Sequence, residues 1–121
     1  NLTVLLAHNA QYKLRFKGAY TTVNAATGLQ LAVNGPASPV FMRGVGTLFT
    51  GATAAFSGAF SAYDTAIAST TGTTTALPFE VEGTISTGVA GGAFTLRARS
   101  EVNGNTVTIL RGSFGELVLV G

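Results

Sequence analysis

The 121-residue chain contains no cysteine, no tryptophan and only one histidine, His8. Without cysteine it can form neither a disulfide nor a thiolate metal site, and one histidine cannot build a multi-histidine metal site. His8 lies in "LAHNAQY", a stretch that predicts a turn before a strand, and no nucleophile motif occurs elsewhere in the chain. We therefore expect a protein that is not an enzyme and needs no cofactor.

Charged side chains are also scarce, at 10% of the residues, compared with roughly 25% in an ordinary globular domain. Hydrophobic residues make up 46%, and the mean hydropathy is +0.41. A small domain with so little charge associates readily. We therefore expect much of its surface to be covered in its working state, by copies of itself or by another protein.

The charges also argue against nucleic acid as a partner. Seven basic residues nearly balance five acidic ones, so the pI of about 9.4 reflects few charges and not a basic surface. No basic groove interleaved with aromatic residues is apparent. No apolar run approaches the ~18 residues of a membrane-spanning helix, so we expect no membrane partner either.

The first residues, "NLTVLLAHNAQ", have neither an initiator methionine nor a basic region typical of a signal peptide. They are typical of a strand that is already under way. We expect residues 1–121 to form one β-domain that is part of a longer chain.

A period of two dominates the sequence. Four stretches alternate apolar and polar residues: "YKLRFK" (12–17), "LQLAV" (29–33), "FEVEGTI" (79–85) and "FTLRARS" (94–100). Such alternation is typical of strands with one buried face. Glycine-rich turn signals separate these stretches at short intervals, which favours an all-β antiparallel sandwich or barrel.

Residues 52–67 permit two interpretations. Phe56, Phe60 and Ile67 fall at helical spacing, but Phe56, Gly58 and Phe60 also alternate as in a strand. Because Gly58 and the nearby serines weaken a helix, we favour a pair of strands.

The charges of residues 80–99 predict a hairpin that turns in "GVAGG" (88–92). One register places Glu82 opposite Arg97 and Glu80 opposite Arg99, and each such pair contributes roughly 0.2–1 kcal/mol. We favour the interpretation that these charge pairs fix the register of the two strands. The alternatives are a ligand patch, in which arginine forks bind a carboxylate, and a salt bridge between subunits.

The Asn-Gly pair at 103–104 predicts a second hairpin. We prefer a three-residue loop, 103–105, because a two-residue loop would place Arg111 on the apolar face, unpaired. Residues 94–100 would then be the middle strand of a three-stranded meander. Glu101 is left without an assigned partner, so Glu101 and Arg111 are candidates for contact with another subunit.

Lys13, Arg15 and Lys17 line one face of one strand, and we favour a solvated face over contact with an acidic partner. Asp64 is favoured as a turn-capping residue over a calcium ligand, because no other acid neighbours it. Tyr20 and Tyr63 support a second hypothesis, a carbohydrate-binding module or adhesin domain. That hypothesis requires their rings to be exposed in a groove, and their burial would exclude this use of them.

Several blocks, taken together, resemble a known family. They are "YKLRFKGAY", "ATGLQLAVNGP", "AYDT", "FEVEGTI" and "TLRARSEVNGNTVTILRGSFGELVLV". In this order the pattern resembles a β-domain of virion structural proteins of tailed bacteriophages, found in tail or head fibres and in capsid-decorating proteins. The resemblance covers nearly the whole chain.

The resemblance implies a jelly-roll-like antiparallel sandwich on the virion surface, assembly as a homotrimer, and no catalysis. The implied partners are other virion proteins of the capsid or fibre shaft, or a host-surface glycan. No catalytic residue carries over, and the choice between capsid and host receptor does not transfer.

Overall fold

Two antiparallel β-sheets pack face to face in the computed structural model, which describes residues 2–120. The ten strands are β1 (Leu2–Leu6), β2 (Gln11–Thr22), β3 (Leu29–Asn34), β4 (Phe41–Phe49), β5 (Ala55–Phe60), β6 (Ile67–Ala68), β7 (Leu77–Ser86), β8 (Gly92–Ser100), β9 (Val107–Ile109) and β10 (Phe114–Leu119). The first sheet has the order β1-β8-β3-β6 and the second the order β10-β2-β7-β4-β5, with β9 also pairing with β2. The all-β sandwich predicted from the alternation is confirmed.

The first eight strands pair as a long hairpin folded back on itself. β4 pairs with β5, β3 with β6, β2 with β7 and β1 with β8. Successive pairs fall in different sheets, so the hairpin winds around one core. β9 and β10 then pair with the edge of β2 that does not pair with β7.

The core lies between the inner faces of the two sheets, where the alternation predicted it. Tyr12, Leu14 and Phe16 of β2 are buried, as are the apolar residues of β3, β7 and β8 in the same pattern. The rings of Phe16 and Phe94 stack with centroids 6.1 Å apart, which joins one sheet to the other. Burial of each such side chain contributes roughly 1.5–3 kcal/mol.

The ambiguous stretch 52–67 contains strands, as favoured. β5 pairs with β4 in a register that places Phe60 opposite Gly44. A Cβ atom on Gly44 would lie 2.4 Å from Cζ of Phe60 and 2.3 Å from the backbone oxygen of Glu82. Only glycine at position 44 therefore leaves room for the Phe60 ring in its observed place.

The predicted meander is wrong. β7 lies in the second sheet and β8 in the first, so "GVAGG" crosses between sheets and does not close a hairpin. β9 pairs with β2 and not with β8. The amide of Asn105 donates to the carbonyl of Val102 at 3.1 Å, and Gly104 has a φ of +87°. The turn therefore has two central residues, 103 and 104, and the three-residue loop is wrong.

No helix within residues 2–120 is long and apolar enough to cross a membrane.

Candidate functional site

Five charged side chains form a ladder on the outer face of the second sheet, across β10, β2 and β7. Arg15 Nε donates to Glu82 Oε1 at 2.9 Å, and Arg15 Nη1 lies 3.4 Å from Glu116 Oε1. Two residues further along β2, Lys17 Nζ lies 3.7 Å from Glu80 Oε2. These five residues, Arg15, Lys17, Glu80, Glu82 and Glu116, are called the charge ladder below.

The ladder corrects the predicted pairs Glu82–Arg97 and Glu80–Arg99. The acidic residues lie on β7, whose neighbour is β2, and there Arg15 and Lys17 repeat at the same two-residue spacing as Arg97 and Arg99. β8 lies in the other sheet, between β1 and β3. The two glutamates do pair across strands with basic residues, but with a different basic strand.

The two neighbouring glutamates of the ladder titrate in opposite directions. A hydrogen bond to Glu82, together with desolvation and repulsion from that carboxylate, raises the pKa of Glu80 above its ordinary value of 4.5. The same hydrogen bond, with help from Arg15, lowers the pKa of Glu82 below 4.5. As the pH falls, Glu80 therefore takes up a proton first.

The ladder aligns strands more than it stabilises them. Its side chains are about half exposed, and exposed ion pairs contribute about 0–1 kcal/mol each. A shift by one residue would, however, move every charge of a strand into the core. Arg15, which contacts both β7 and β10, disfavours such a shift on either side of β2.

Beside the ladder lies a groove of about 400 Å³, lined among others by Lys13, Arg43, Thr84 and Val118. Lys13 and Arg43 lie on either side of Thr84 in the cross-strand register. The Arg43 guanidinium lies over the Phe41 ring at 4.7 Å from its centroid, and neither cation forms an ion pair within residues 2–120. Of the predicted basic row Lys13, Arg15 and Lys17, only Lys13 therefore has its charge free of an ion pair there.

The last strand and the residue directly after it carry four exposed apolar side chains. Phe114 is 46% exposed, Val118 58%, Leu119 62% and Val120 53%. β10 is also an edge strand of the second sheet, and such a strand presents backbone donors and acceptors to a further strand. This edge strand with its exposed apolar side chains, called the apolar edge below, therefore has the properties of a site for strand addition.

A second hollow, of about 320 Å³, lies on the outer face of the first sheet. Arg97 Nη1 donates to Asp64 Oδ1 at 2.9 Å, and Arg99 Nε donates to Gln30 Oε1 at 2.7 Å. The side chains of Ala32 and Ala66 also line it. Both arginines of the predicted hairpin and their partners thus line one depression, which is called the arginine hollow below.

The backbone conformation and hydrogen bonding of Asp64 hold this residue at the hollow. Its φ is +56°, which is uncommon outside glycine but tolerated by aspartate, and its amide donates to the carbonyl of Val33 at 2.8 Å. Its Oδ2 accepts from Asn34 Nδ2 at 2.8 Å. Asp64 lies in a turn, but within residues 2–120 its carboxylate accepts only from the side chains of Arg97 and Asn34, so the predicted turn-capping role is wrong.

Glu101 has an intramolecular partner, contrary to the prediction. Its Oε1 accepts from the amide of Gly28 at 3.3 Å, and its own amide donates to the carbonyl of Gly28 at 3.0 Å. Arg111 is exposed in the turn after β9, and no ion pair involves it within the described chain. The structure does not bring Glu101 and Arg111 into a pair, and their contact with another subunit stays a prediction.

The structure buries one of the two tyrosines proposed to stack on a sugar and leaves the other partly exposed. Tyr20 is fully buried, and its hydroxyl donates to the carbonyl of Phe49 at 2.6 Å. The Tyr63 hydroxyl donates to the carbonyl of Pro36 at 2.8 Å, and its ring packs edge-on against Phe94 at 6.3 Å. Burial raises the pKa of both hydroxyls. The sugar-stacking role predicted for Tyr20 is therefore wrong, and the role predicted for Tyr63, whose ring is partly exposed, stays a prediction.

His8 lies in an exposed turn between β1 and β2, as predicted, and its Nδ1 is 3.2 Å from Asn9 Nδ2. No cluster of three or more histidine, aspartate or glutamate side chains suited to a metal occurs within residues 2–120. The sequence patterns did not identify Arg43, Gln30 or the apolar edge as candidates for a binding surface. The alternation in "FMRGVG" and the apolar run "FGELVLV" were the available signals.

Comparison of the chain with protein-family models, with curated proteins and with solved structures finds no match in any of the three.

Proposed function

We propose that this chain is a non-enzymatic structural domain that assembles with copies of itself, as a trimeric fibre-tip or capsid-decoration module of a tailed-bacteriophage virion. The observation that carries the proposal is the apolar edge. Four exposed apolar side chains occur on or directly after one edge strand, in a chain with few charges to keep copies apart. Such an edge is a ready template for pairing with another chain.

The strand order supports the class of particle proposed. Eight strands are wound as one folded hairpin, with the pairs β1–β8, β2–β7, β3–β6 and β4–β5. This pairing supports our proposal of a jelly-roll-like sandwich, an architecture used by viral capsid domains. Fold alone does not establish function, and here it adds to the resemblance of the sequence blocks to virion β-domains.

A trimer requires two different surfaces to meet, because a cyclic three-fold contact is heterologous. The second sheet offers two such edges, β10 and β5. β5 presents the Phe56 side chain, which is 46% exposed, as is that of Phe114 on β10. We propose that β10 of one copy meets the β5 side of the next. Three linked copies would then hold a virion surface through several weak contacts at once.

The mass of the protein in solution tests this proposal. At micromolar concentration, sedimentation or light scattering should give three times the 12.3 kDa of the chain. Val118→Lys, which places a charge on the apolar edge, should shift the population to monomer. The matched control is Val40→Lys, at an exposed valine outside the strands, which should stay trimeric. A monomeric unaltered chain, or equal behaviour of the two variants, would contradict the proposal.

A further inference from the structure

We propose that the arginine hollow is a binding site for a carboxylate-bearing sugar of the uronic acid class, with Arg99 contacting the carboxylate. The hollow lies on the first sheet, whereas the ladder and the apolar edge lie on the second. Assembly through the edges of the second sheet and sugar binding on the outer face of the first sheet would therefore use different surfaces of the molecule.

Arg99 supplies the cation. Its Nε donates to Gln30 Oε1, which is neutral, and no carboxylate within residues 2–120 pairs with it. A guanidinium has five N–H donors in a planar fork. The donors that do not bond to Gln30 are therefore free to bind a carboxylate in the two-point geometry that suits arginine.

Asp64 and Gln30 supply groups for hydroxyls. The Asp64 oxygens already accept from Arg97 and Asn34, but an ionised carboxylate has about four acceptor positions. The Gln30 amide adds two N–H donors beside Arg99. Donors and acceptors thus lie in one hollow, as a ligand that has both hydroxyls and a carboxylate requires.

Two alanines give the hollow its depth. Ala32 lies opposite Arg97 in the register of β3 and β8, and it lines the hollow together with Ala66. Their short side chains leave an apolar surface between longer polar ones, against which the C–H groups of a sugar ring can pack. The volume of about 320 Å³ lies at the small end of ligand sites, which fits a single sugar residue.

The same groups disfavour other anions. A phosphate group needs donors alone, and the Asp64 carboxylate at the hollow would repel its second charge. A glutamate or aspartate side chain of a protein would use Arg99 but leave the Asp64 acceptors without donors. The mixed lining therefore favours an acidic sugar over an acidic peptide.

Titration of the isotope-labelled full chain with glucuronate, followed by backbone amide NMR, tests the proposal. Millimolar glucuronate should shift the amide signals of residues 30–32, 64–66 and 97–99. Its affinity should be about tenfold or more above that of glucose, which lacks the carboxylate, and that of acetate, which lacks the hydroxyls. No shifts in these segments, or equal affinity for acetate, would overturn the proposal. So would tighter binding of an oligoglutamate peptide.

Three variants make the result specific. Arg99→Gln should weaken glucuronate binding about tenfold or more, as expected for loss of a charged hydrogen bond. Ala32→Leu, which fills the hollow and keeps every charge, should also abolish the shifts. Lys13→Gln removes an exposed cation from the other sheet and should leave the affinity unchanged. Binding that survives Arg99→Gln, or that Lys13→Gln weakens as much, would show general attraction by charge.

Discussion

Arg15 Nε lies 2.9 Å from Glu82 Oε1 on the neighbouring strand, and the same guanidinium reaches Glu116 on the strand at its other side. Three strands of the second sheet are thus linked through one arginine. Because these groups are about half exposed, their attraction is weakened by water and by salt.

Replacement of Arg15 by glutamine should lower the free energy of unfolding by less than about 1 kcal/mol per lost pair. The loss should shrink as salt is raised, because salt screens exposed pairs. Urea unfolding at low and high salt measures both. Lys13→Gln on the same strand face, which breaks no ion pair within the described chain, is the control. A salt-independent loss would indicate that packing of the Arg15 stem, and not its charge, is responsible.

Glu80 and Glu82 should titrate apart in carboxyl-carbon NMR, with the pKa of Glu80 above 4.5 and that of Glu82 below it. Glu82→Ala should lower the pKa of Glu80, because it removes the hydrogen-bond acceptor and the repelling charge. Glu116→Ala, which removes another partner of Arg15, should leave the pKa of Glu80 raised. A common pKa for both residues in the unaltered protein would contradict the coupling.

The two shifts have opposite effects on stability. The folded state binds the Glu80 proton more tightly than the unfolded chain does, so its contribution is present below pH 4.5 and is lost as the pH rises through the folded pKa. Glu82 contributes above pH 4.5, and its contribution is lost as the pH falls through its own folded pKa. Around pH 4.5 the contributions of Glu80 and Glu82 to the unfolding free energy should therefore change in opposite directions as the pH is varied.

Gly44→Ala should destabilise the protein by about 1–3 kcal/mol, the usual cost of overpacking. The added Cβ would meet Phe60 at 2.4 Å and a backbone oxygen at 2.3 Å, and the backbone cannot move aside as a flexible side chain can. Gly51→Ala is the matched control, because its nearest neighbour would be 3.7 Å away. Thermal unfolding of both variants measures the difference, and equal melting temperatures would contradict the packing described for Phe60.

The faces of the strands could be predicted from the sequence, but their partners could not. Alternation at Tyr12, Leu14 and Phe16 identifies the buried face because burial depends on the side chain itself. Pairing depends on where a loop sends the chain. "GVAGG" is equally compatible with a tight hairpin and with a crossing between sheets.

Charge complementarity did not resolve that choice, because it is degenerate in this chain. Glu80 and Glu82 fit Arg97 and Arg99 by spacing, and they fit Arg15 and Lys17 equally well. Only the position of β7 beside β2 decides between them. The sequence offered a ligand patch at Arg97 and Arg99 only as an alternative, because Asp64 and Gln30 join these arginines only through the folded arrangement.

The folded hairpin has a consequence for the order in which the protein can form. Leu2 pairs with Leu96, and the rest of β1 pairs with the beginning of β8. β1 therefore cannot pair until β8, about 90 residues later in the chain, is available. Folds dominated by pairs so distant in sequence reach the native state slowly, in milliseconds to seconds. During synthesis the apolar segment "LTVLL" stays without its partner strand until about residue 100 has emerged. Production of the protein should therefore be limited by aggregation of unfinished chains more than by the stability of the finished one.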